Sequence, residues 1–493
     1  MSQILVLGAT GYVGGRLVPE LLRCGHSVRC LTRSADSFDG IDWADRIDVV
    51  EGDLFDPDTL GPAFAGTDQV VYLVHSLNDE DFERKELECA ANTRTAAEQA
   101  GVGHIVYLSG LGDDTTDLSP HLRSRHNVGR ELASGPTPVT ELRAAVVIGA
   151  GSASFEMLRS LTDVIPVMTA PSWVTSTMLQ PIAIADVLTY LVAAIDSPAA
   201  AADSEHARRI VEIGGPDAMT YGDLVHVYAA ACGLRRRIIP IPIVSPGFSA
   251  HWVNLVTPIP KRLADSLIDS LKHDVVVTDD SARRLSPHEP MSTRRAVELA
   301  VAAVGDVVVA TGESGDADDR DPAQPREWDQ SWTGGTLWED QRTITTTASP
   351  LAVQQTVRGI GGERGWYGWG VLWTIRGVID RLFGGVGLRR GRVHPDDIAP
   401  GDHIDFWRVE VVDDHLFRLR GEMMLPGTAW IEWATIERTD GTEVVQRARY
   451  APRGLLGRLY WLVMVPFHAL IFPLMLRRLV AAAEQVDTIS VPD

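Results

Sequence analysis

The sequence predicts an α/β protein: a doubly wound parallel sheet extended by a further lobe over the first 311 residues, then a separate α+β domain. Three observations predict it. Short apolar runs at 4–7, 27–31, 69–76 and 104–110 alternate with helical patterns, and such near-continuous runs suit strands covered on both faces. Between 312 and 328 the chain turns acidic and glycine-rich, with almost nothing to bury. Beyond it tryptophans accumulate, in segments that alternate like antiparallel strands.

The first run, Ile4-Leu5-Val6-Leu7, leads into Gly8-Ala9-Thr10-Gly11-Tyr12-Val13-Gly14 and then the helical pattern Leu17, Val18, Leu21, Leu22. Three glycines three apart in that context meet the steric demands of a dinucleotide-binding turn. One permits the tight turn, one lets the backbone approach a pyrophosphate, and one lets the helix pack on the strand. The diphosphate then sits at a helix N-terminus, where free N–H groups and the helix dipole favour negative charge. Pro19, well inside this helix, is expected to bend it. The second strand, 27–31, completes a βαβ unit of the Rossmann kind. After it stands Thr32-Arg33-Ser34, where an NAD-selective fold places an acid on the ribose hydroxyls. Arg33 there favours a 2′-phosphate, hence NADP with NAD as the second option; the alternative is a solvated loop arginine.

Composition excludes several classes. Among 493 residues, 45 Lys and Arg against 66 Asp and Glu leave a net charge of −21, which argues against a broad nucleic-acid surface. Cys24, Cys30, Cys89 and Cys232 are scattered, with no CxxC pair, and HExxH, CxxCH and GxxxxGK[ST] are all lacking, so no metal, haem or phosphoryl-transfer site is expected. The N-terminus leads straight into the first strand, so no signal peptide is expected and the N-terminal part is placed in the cytoplasm.

A third strand is expected over 48–54, ending near Asp53, with a helix over 81–100 between the fourth and fifth. Through Gly8-x-x-Gly11-x-x-Gly14, Gly52-Asp53-Leu54, Leu108-Ser109-Gly110 and Leu142-Arg143, the chain resembles the atypical short-chain dehydrogenase/reductase superfamily, near its NmrA-like and YbjT-like branches. The resemblance implies a cofactor held by Gly8, Thr10, Gly11, Tyr12, Val13, Gly14, Arg33, Asp53, Leu54, Val74 and His75, with Asp53 meeting the adenine amine. The family's proton donor is a Tyr followed four residues later by a Lys, in the helix after the fifth strand. This sequence has no such pair; His121 and Arg125 stand at the matching spacing. Arg125 can bond the nicotinamide ribose but cannot act by losing a proton. His121 is either the acid or a residue at a helix start with no chemistry, and Ser109 either the family's hydroxyl or a turn cap. If His121 is the acid, the pH–rate profile breaks near its ordinary value of about 6.5.

A sixth strand is expected at 145–151, followed by a return into the substrate lobe at 180–187, a strand and turn at 210–216, a helix at 221–233 and a proline-punctuated run at 239–243. The expected domains are therefore 1–150, which binds the cofactor, 151–311, a substrate lobe, 312–328, an acidic linker, and 329–493.

From the end of the linker onward stand Trp328, Trp332, Trp338, Trp366, Trp369, Trp373, Trp407, Trp430, Trp433 and Trp461. A strand at 343–347, a helix at 350–358, strands at 404–412, 416–425, 428–437 and 442–450, and a long helix from 455 resemble the helix-grip fold of the SRPBCC/START superfamily. The stretches Gly384-Gly385-Val386-Gly387-Leu388-Arg389-Arg390-Gly391-Arg392, Asp405-Phe406-Trp407-Arg408-Val409 and Leu425-Pro426-Gly427-Thr428-Ala429-Trp430 resemble the uncharacterised domain fused to YbjT-like proteins. Such a domain implies an apolar cavity, with Trp366, Trp407 and Trp430 among its walls. Arg389, Arg390 and Arg392 are either an acidic head-group site or a solvated loop. The uncharged stretch 459–476 has roughly the length of the shortest membrane spans, but Pro466, Pro473 and His468 favour a helix that lies on its sheet or touches a membrane surface.

These readings lead to an NADPH-dependent oxidoreductase acting on an apolar substrate, with peripheral membrane contact. The alternative is a non-catalytic NADP-binding sensor or membrane-associated ligand-binding module.

Overall fold

A computed structural model describes residues 2–75, 81–114, 118–197, 208–241, 260–307, 337–362, 365–368, 398–438, 441–452 and 454–490. The acidic stretch 312–328, Trp328, Trp332, Trp369, Trp373 and the arginines at 389, 390 and 392 lie outside these residues. The chain forms two compact units, Met1–Gly335 and Thr336–Asp493.

The first unit is built on a seven-stranded sheet of β1 (Gln3–Leu7), β2 (Ser27–Thr32), β3 (Asp48–Glu51), β4 (Gln69–Tyr72), β5 (His104–Gly110), β6 (Val139–Ala144) and β7 (Arg208–Ile213). Their order is β7-β6-β5-β4-β1-β2-β3, and every pairing is parallel. The order reverses between β1 and β4, the switch point where open parallel sheets bind ligands. Helices α1 (Gly14–Arg23), α2 (Phe82–Ala100) and α3 (Pro120–Leu132) connect the early strands. Along β1, Ile4 and Val6 join Leu17, Val18 and Leu21 of α1 in one core. Leu5 and Leu7 join Ala90, Ala97, Val128 and Leu132 on the opposite face. Burial on both faces removes the polar alternation of a half-exposed strand.

Several boundaries differ from expectation. Strand β3 stops at Glu51, short of Asp53, because Asp53 folds its own turn: its Oδ1 accepts the Phe55 N–H at 3.0 Å. Strand β4 stops at Tyr72. Helix α1 spans Gly14 to Arg23 and so keeps Pro19 inside it, in line with a proline expected to bend the helix rather than end it. The sixth strand of the sheet is Val139–Ala144, not 145–151, where only Val147–Ile148 is a strand, paired with Ile182–Ala183. The reason is chemical. Glu141 and Arg143 make the true strand look half-exposed, yet both are buried because they neutralise each other at 2.8 Å.

Of the later helices, α4 (Ala153–Val164), α6 (Tyr221–Ala231), α7 (Lys261–Ser270) and α8 (Thr293–Val307) form the lobe, whereas α5 (Ile184–Asp196) packs beside α1 on the sheet. The core of the lobe joins Phe155 and Leu158 to Leu224, Val225, Ala264 and Val297. Thr220 and Asp223 close a capping box at the start of α6, which determines where Tyr221 sits.

The second unit is a six-stranded sheet of β8 (Trp338–Thr346), β9 (His403–Ile404), β10 (Trp407–Val412), β11 (Leu416–Gly421), β12 (Gly427–Arg438) and β13 (Gly441–Pro452), with helices α9 (Pro350–Arg358) and α10 (Gly454–Ser490). Its order is β8-β13-β12-β11-β10-β9, and all pairs are antiparallel. One face packs Phe417, Ile431 and Trp433 against Val353 and Val357 of α9 and Phe472, Met475 and Leu479 of α10. Trp366 and Trp407 belong to this core, and the Trp366 indole N–H donates to Asp405 Oδ2 at 2.7 Å. Trp430 lies on the other face, donating to Glu410 Oε2 at 3.1 Å, near the buried pair Arg418 and Glu432 at 2.8 Å. Instead of lining one cavity together, the three tryptophans divide between the two faces of the sheet.

Candidate functional site

The glycine turn divides its labour sterically. Gly8 has φ +92°, and a Cβ there would meet the Leu73 carbonyl carbon at 3.1 Å. Only glycine adopts that conformation without strain. A Cβ at Gly14 would lie 2.2 Å from the Gly8 carbonyl oxygen, so the helix approaches the turn more closely than any side chain permits. At Gly11 the only near neighbour of a Cβ is the Gly8 oxygen at 3.2 Å, which leaves its other side as an open backbone face. The first turn of α1 has no capping side chain and no acid. An open glycine face beside an uncapped helix N-terminus fits a dinucleotide pyrophosphate. Arg16, one of the buried charged residues, braces the turn. Its guanidinium lies 4.0 Å from the centroid of the Tyr12 ring and donates to the Tyr12 carbonyl at 3.0 Å and the Ala150 carbonyl at 3.3 Å.

At the end of β2, Arg33 is exposed and, among the described residues, has no hydrogen-bond or ionic partner. The neighbouring acid, Glu51, is occupied in accepting the Ala35 N–H at 2.8 Å. Leu54 is buried, and its carbonyl accepts from Asn92 Nδ2 of α2 at 2.7 Å.

The residues expected to carry chemistry gather beyond the carboxyl ends of β4 and β5. Ser109 is buried near the end of β5. Arg125 donates to the Leu108 carbonyl, and its guanidinium stands 5.2 Å from the centroid of the Tyr107 ring. The Tyr107 hydroxyl in turn donates to the Arg125 carbonyl at 3.0 Å. His121, one turn earlier on α3, has a buried Nδ1 with no partner. Burial first, then the charges of Arg125 and His75, push its imidazole down to about 3. His75, just past β4, keeps an open edge to solvent. The protein packed around its ring and the Arg125 charge bring it down to about 4. Both imidazoles are therefore neutral at neutral pH. An imidazole held that low keeps one ring N–H but is not an imidazolium acid at neutral pH, which argues against a pH–rate break near 6.5 from His121.

Other polar residues, not singled out by the sequence, support this region. Buried Glu86 of α2 accepts from the Ser124 hydroxyl at 2.5 Å. Its signal was a charge on the inner face of α2, in line with buried Cys89, Ala90 and Thr93. Asp114 accepts from Arg143 at 3.0 Å and pairs with His126 Nδ1 at 2.5 Å, while His126 Nε2 meets the Gly110 carbonyl at 3.0 Å. Burial would raise the Asp114 carboxyl, but Arg143 and His126 outweigh it and hold the group low. A pocket of about 80 Å³ opens beside His121, walled by the ends of β5 and β6 and by the lobe. No cluster of three or more metal-ligating side chains occurs among the described residues.

A family model described as NAD(P)H-binding matches residues 8–138, and one described as a protein of unknown function, DUF2867, matches residues 332–475. Among known proteins, the mitochondrial NADH dehydrogenase (ubiquinone) 1 alpha subcomplex subunit 9 of Arabidopsis thaliana is 24% identical over 306 residues, 58% of this chain and 74% of that protein. A photosystem II assembly factor of Trieres chinensis is 27% identical over 150 residues, 29% of this chain. The chain spans less than half of that factor's length, 45%. Citrobacter triphenylmethane reductase, solved with NADP(H), aligns with TM-score 0.49 and 18% identity over 60% of this chain and 99% of its own. These relatives lend no support to a cytoplasmic location. From the glycine turn, the parallel sheet and the matched family, the N-terminal unit is an NAD(P)H-binding domain with an NmrA-like, atypical short-chain dehydrogenase/reductase fold.

Proposed function

We propose that the protein is an NADPH-dependent oxidoreductase acting on an apolar substrate. The observation that carries this reading is the pocket beside His121, enclosed by Leu111, Leu122 and Val146 at the carboxyl edge of the sheet, where a doubly wound fold holds its ligands. The dinucleotide, when bound, supplies the hydride. The chain's part is to hold the diphosphate on the Gly8 to Gly14 turn, keep the acceptor in an apolar enclosure, and hold Arg125 against the end of β5. Arg33, exposed and unpartnered, is suited to a 2′-phosphate. A charge-assisted bond of about 1.5–3 kcal/mol gives roughly one to two decades of preference for NADPH over NADH. Titration of both dinucleotides against wild type and Arg33→Ala tests the preference, and equal affinities in wild type would sink it. Loss of NADPH absorbance with quinones and apolar carbonyls tests the chemistry. The Arabidopsis relative is named as an NADH dehydrogenase subunit and the Citrobacter protein as a reductase, which agrees with a redox role.

The runner-up is an NADP-binding module without turnover. Neutral His121 favours it, since no Tyr/Lys pair stands in its place. Tight NADPH binding without oxidation by any acceptor would select it.

For the C-terminal unit we propose a helix-grip domain that rests on a membrane surface. Helix α10 is long and apolar enough to cross a bilayer by length and composition. Its second half, however, is committed to the protein core through Phe472, Met475 and Leu479. Its first half exposes Leu456 by 72%, Leu462 by 63%, Val463 by 63% and Leu470 by 54%. About 17 residues at 1.5 Å each give roughly 25 Å, short of a span but ample for lying in an interface. Flotation with anionic vesicles tests it. Leu462→Glu with Val463→Glu should abolish co-flotation without lowering thermal stability, and retention after alkaline carbonate washing would instead show a span.

A further inference from the structure

Two residues that line the same small pocket of the N-terminal unit each carry a buried polar atom without a partner. One atom is His121 Nδ1 and the other the Tyr221 hydroxyl. Tyr221 opens α6 in the lobe, far in sequence from His121 on α3. It is 7% exposed, and burial pushes its phenol well above the ordinary value, so it remains a neutral O–H donor. The rest of the wall includes Leu122, Val146, Met157 and Leu271. Two serines, Ser154 and Ser270, also line the pocket; the Ser270 hydroxyl is already engaged, donating to the Ser266 carbonyl at 2.9 Å and meeting Ser119 Oγ at 3.1 Å.

A core built only for packing would place phenylalanine at 221, since an unmade buried hydrogen bond costs about 1–3 kcal/mol. Two such atoms at one cavity of about 80 Å³ mark a place made for a polar atom on an otherwise apolar body. With imidazole and phenol both neutral, that atom is an uncharged oxygen rather than a carboxylate or phosphate, which would call for a cation. The space is that of two or three waters at roughly 30 Å³ each, which holds a carbonyl and the carbons attached to it, and the pocket is not closed, so the rest of a small aromatic molecule extends from its mouth.

We infer that Tyr221 and His121 form the polar end of a binding pocket for an uncharged apolar carbonyl compound, with the Tyr221 hydroxyl donating to the carbonyl oxygen. This deepens the oxidoreductase reading and rests on it only for calling the carbonyl compound a substrate; the pocket itself is read from its own walls.

The test uses the full chain, benzaldehyde as the carbonyl probe and toluene as its oxygen-free match, with affinities from ligand-observed NMR. Wild type should bind benzaldehyde more tightly than toluene. Tyr221→Phe should weaken benzaldehyde about tenfold, as for one lost hydrogen bond, and leave toluene unchanged. The same variant should unfold at an equal or higher temperature, since it removes an unpaired buried hydroxyl. Met157→Trp, which fills the pocket, should exclude both probes. Equal benzaldehyde affinity in wild type and Tyr221→Phe would overturn the proposal and leave a water-filled cavity. NADPH titration of the same samples separates the two readings. Intact NADPH binding with no effect of Tyr221→Phe defeats the pocket alone, whereas benzaldehyde discrimination without NADPH binding defeats the oxidoreductase reading and keeps the pocket.

Discussion

Gly11 and Gly14 are the same residue type with different duties. A methyl group at Gly14 collides with the Gly8 carbonyl at 2.2 Å, a backbone atom that cannot rotate away. Gly14→Ala should therefore destabilise the fold by about 1–3 kcal/mol, as overpacking does, and thermal unfolding will register it. Gly11→Val meets one atom at 3.2 Å, so it should fold with a near-native melting temperature and fail to bind NADPH. His104 provides a pH dependence. It is buried between Gln69 Oε1 at 3.0 Å and Thr140 Oγ1 at 2.9 Å, and burial brings its imidazole down to about 4. Between that value and the unfolded value of about 6.5 the unfolded chain binds a proton that the folded chain refuses. The stabilising contribution is thus complete above 6.5 and is lost as pH falls to 4. Its size is about 3 kcal/mol. Urea unfolding at pH 7 and pH 4.5 should show the loss, and His104→Gln should flatten it.

Strand β6 carries a charge problem that its neighbours solve. Glu141 pairs with Arg143 on its own strand at 2.8 Å and accepts from Arg208 of β7 at 2.7 Å, while Arg143 also reaches Asp114. Removing the carboxylate takes one partner from buried Arg143 and an ionic partner from partly buried Arg208. Glu141→Ala should cost about 3–5 kcal/mol, the usual penalty for breaking a buried pair from one side, and denaturant titration measures it. The same network holds the segment after β5, through His126 and the Gly110 carbonyl, so NADPH oxidation should fall with stability in that variant. Helix α10 shows the complementary case of one element with two environments. Its second half buries Met475 and Leu479 fully, while its first half leaves Leu456 and Leu462 in solvent. The run 459–476 is apolar throughout apart from Pro466, His468 and Pro473, and its hydropathy alone does not mark the change.

Across the whole molecule, each unit buries its own core, the first through residues from Ile4 to Ala300 and the second from Ala348 to Ala483. Calorimetry should resolve two transitions. NADPH at a hundred times its dissociation constant should stabilise the first unit by about 2.7 kcal/mol by mass action. The second transition should keep its temperature. A single transition that moves as a whole with NADPH would show that the units unfold together.

What the sequence determined by itself follows from local rules. The spacing of Gly8, Gly11 and Gly14, the apolar strands covered on both faces, the missing Tyr/Lys pair and helix Pro350–Arg358 all depend on neighbours a few residues away, and all were legible. What only the tertiary structure decided depends on residues distant along the chain. Strand β6 was hidden because its charges are satisfied by Asp114 and Arg208. The proton affinity of His121 was hidden because its environment includes His75, on the far side of α2 in sequence, and Arg125 as that helix is buried. Tyr221 was invisible for the same reason: an unpaired hydroxyl is a property of everything around it, and its surroundings come from four separate parts of the chain.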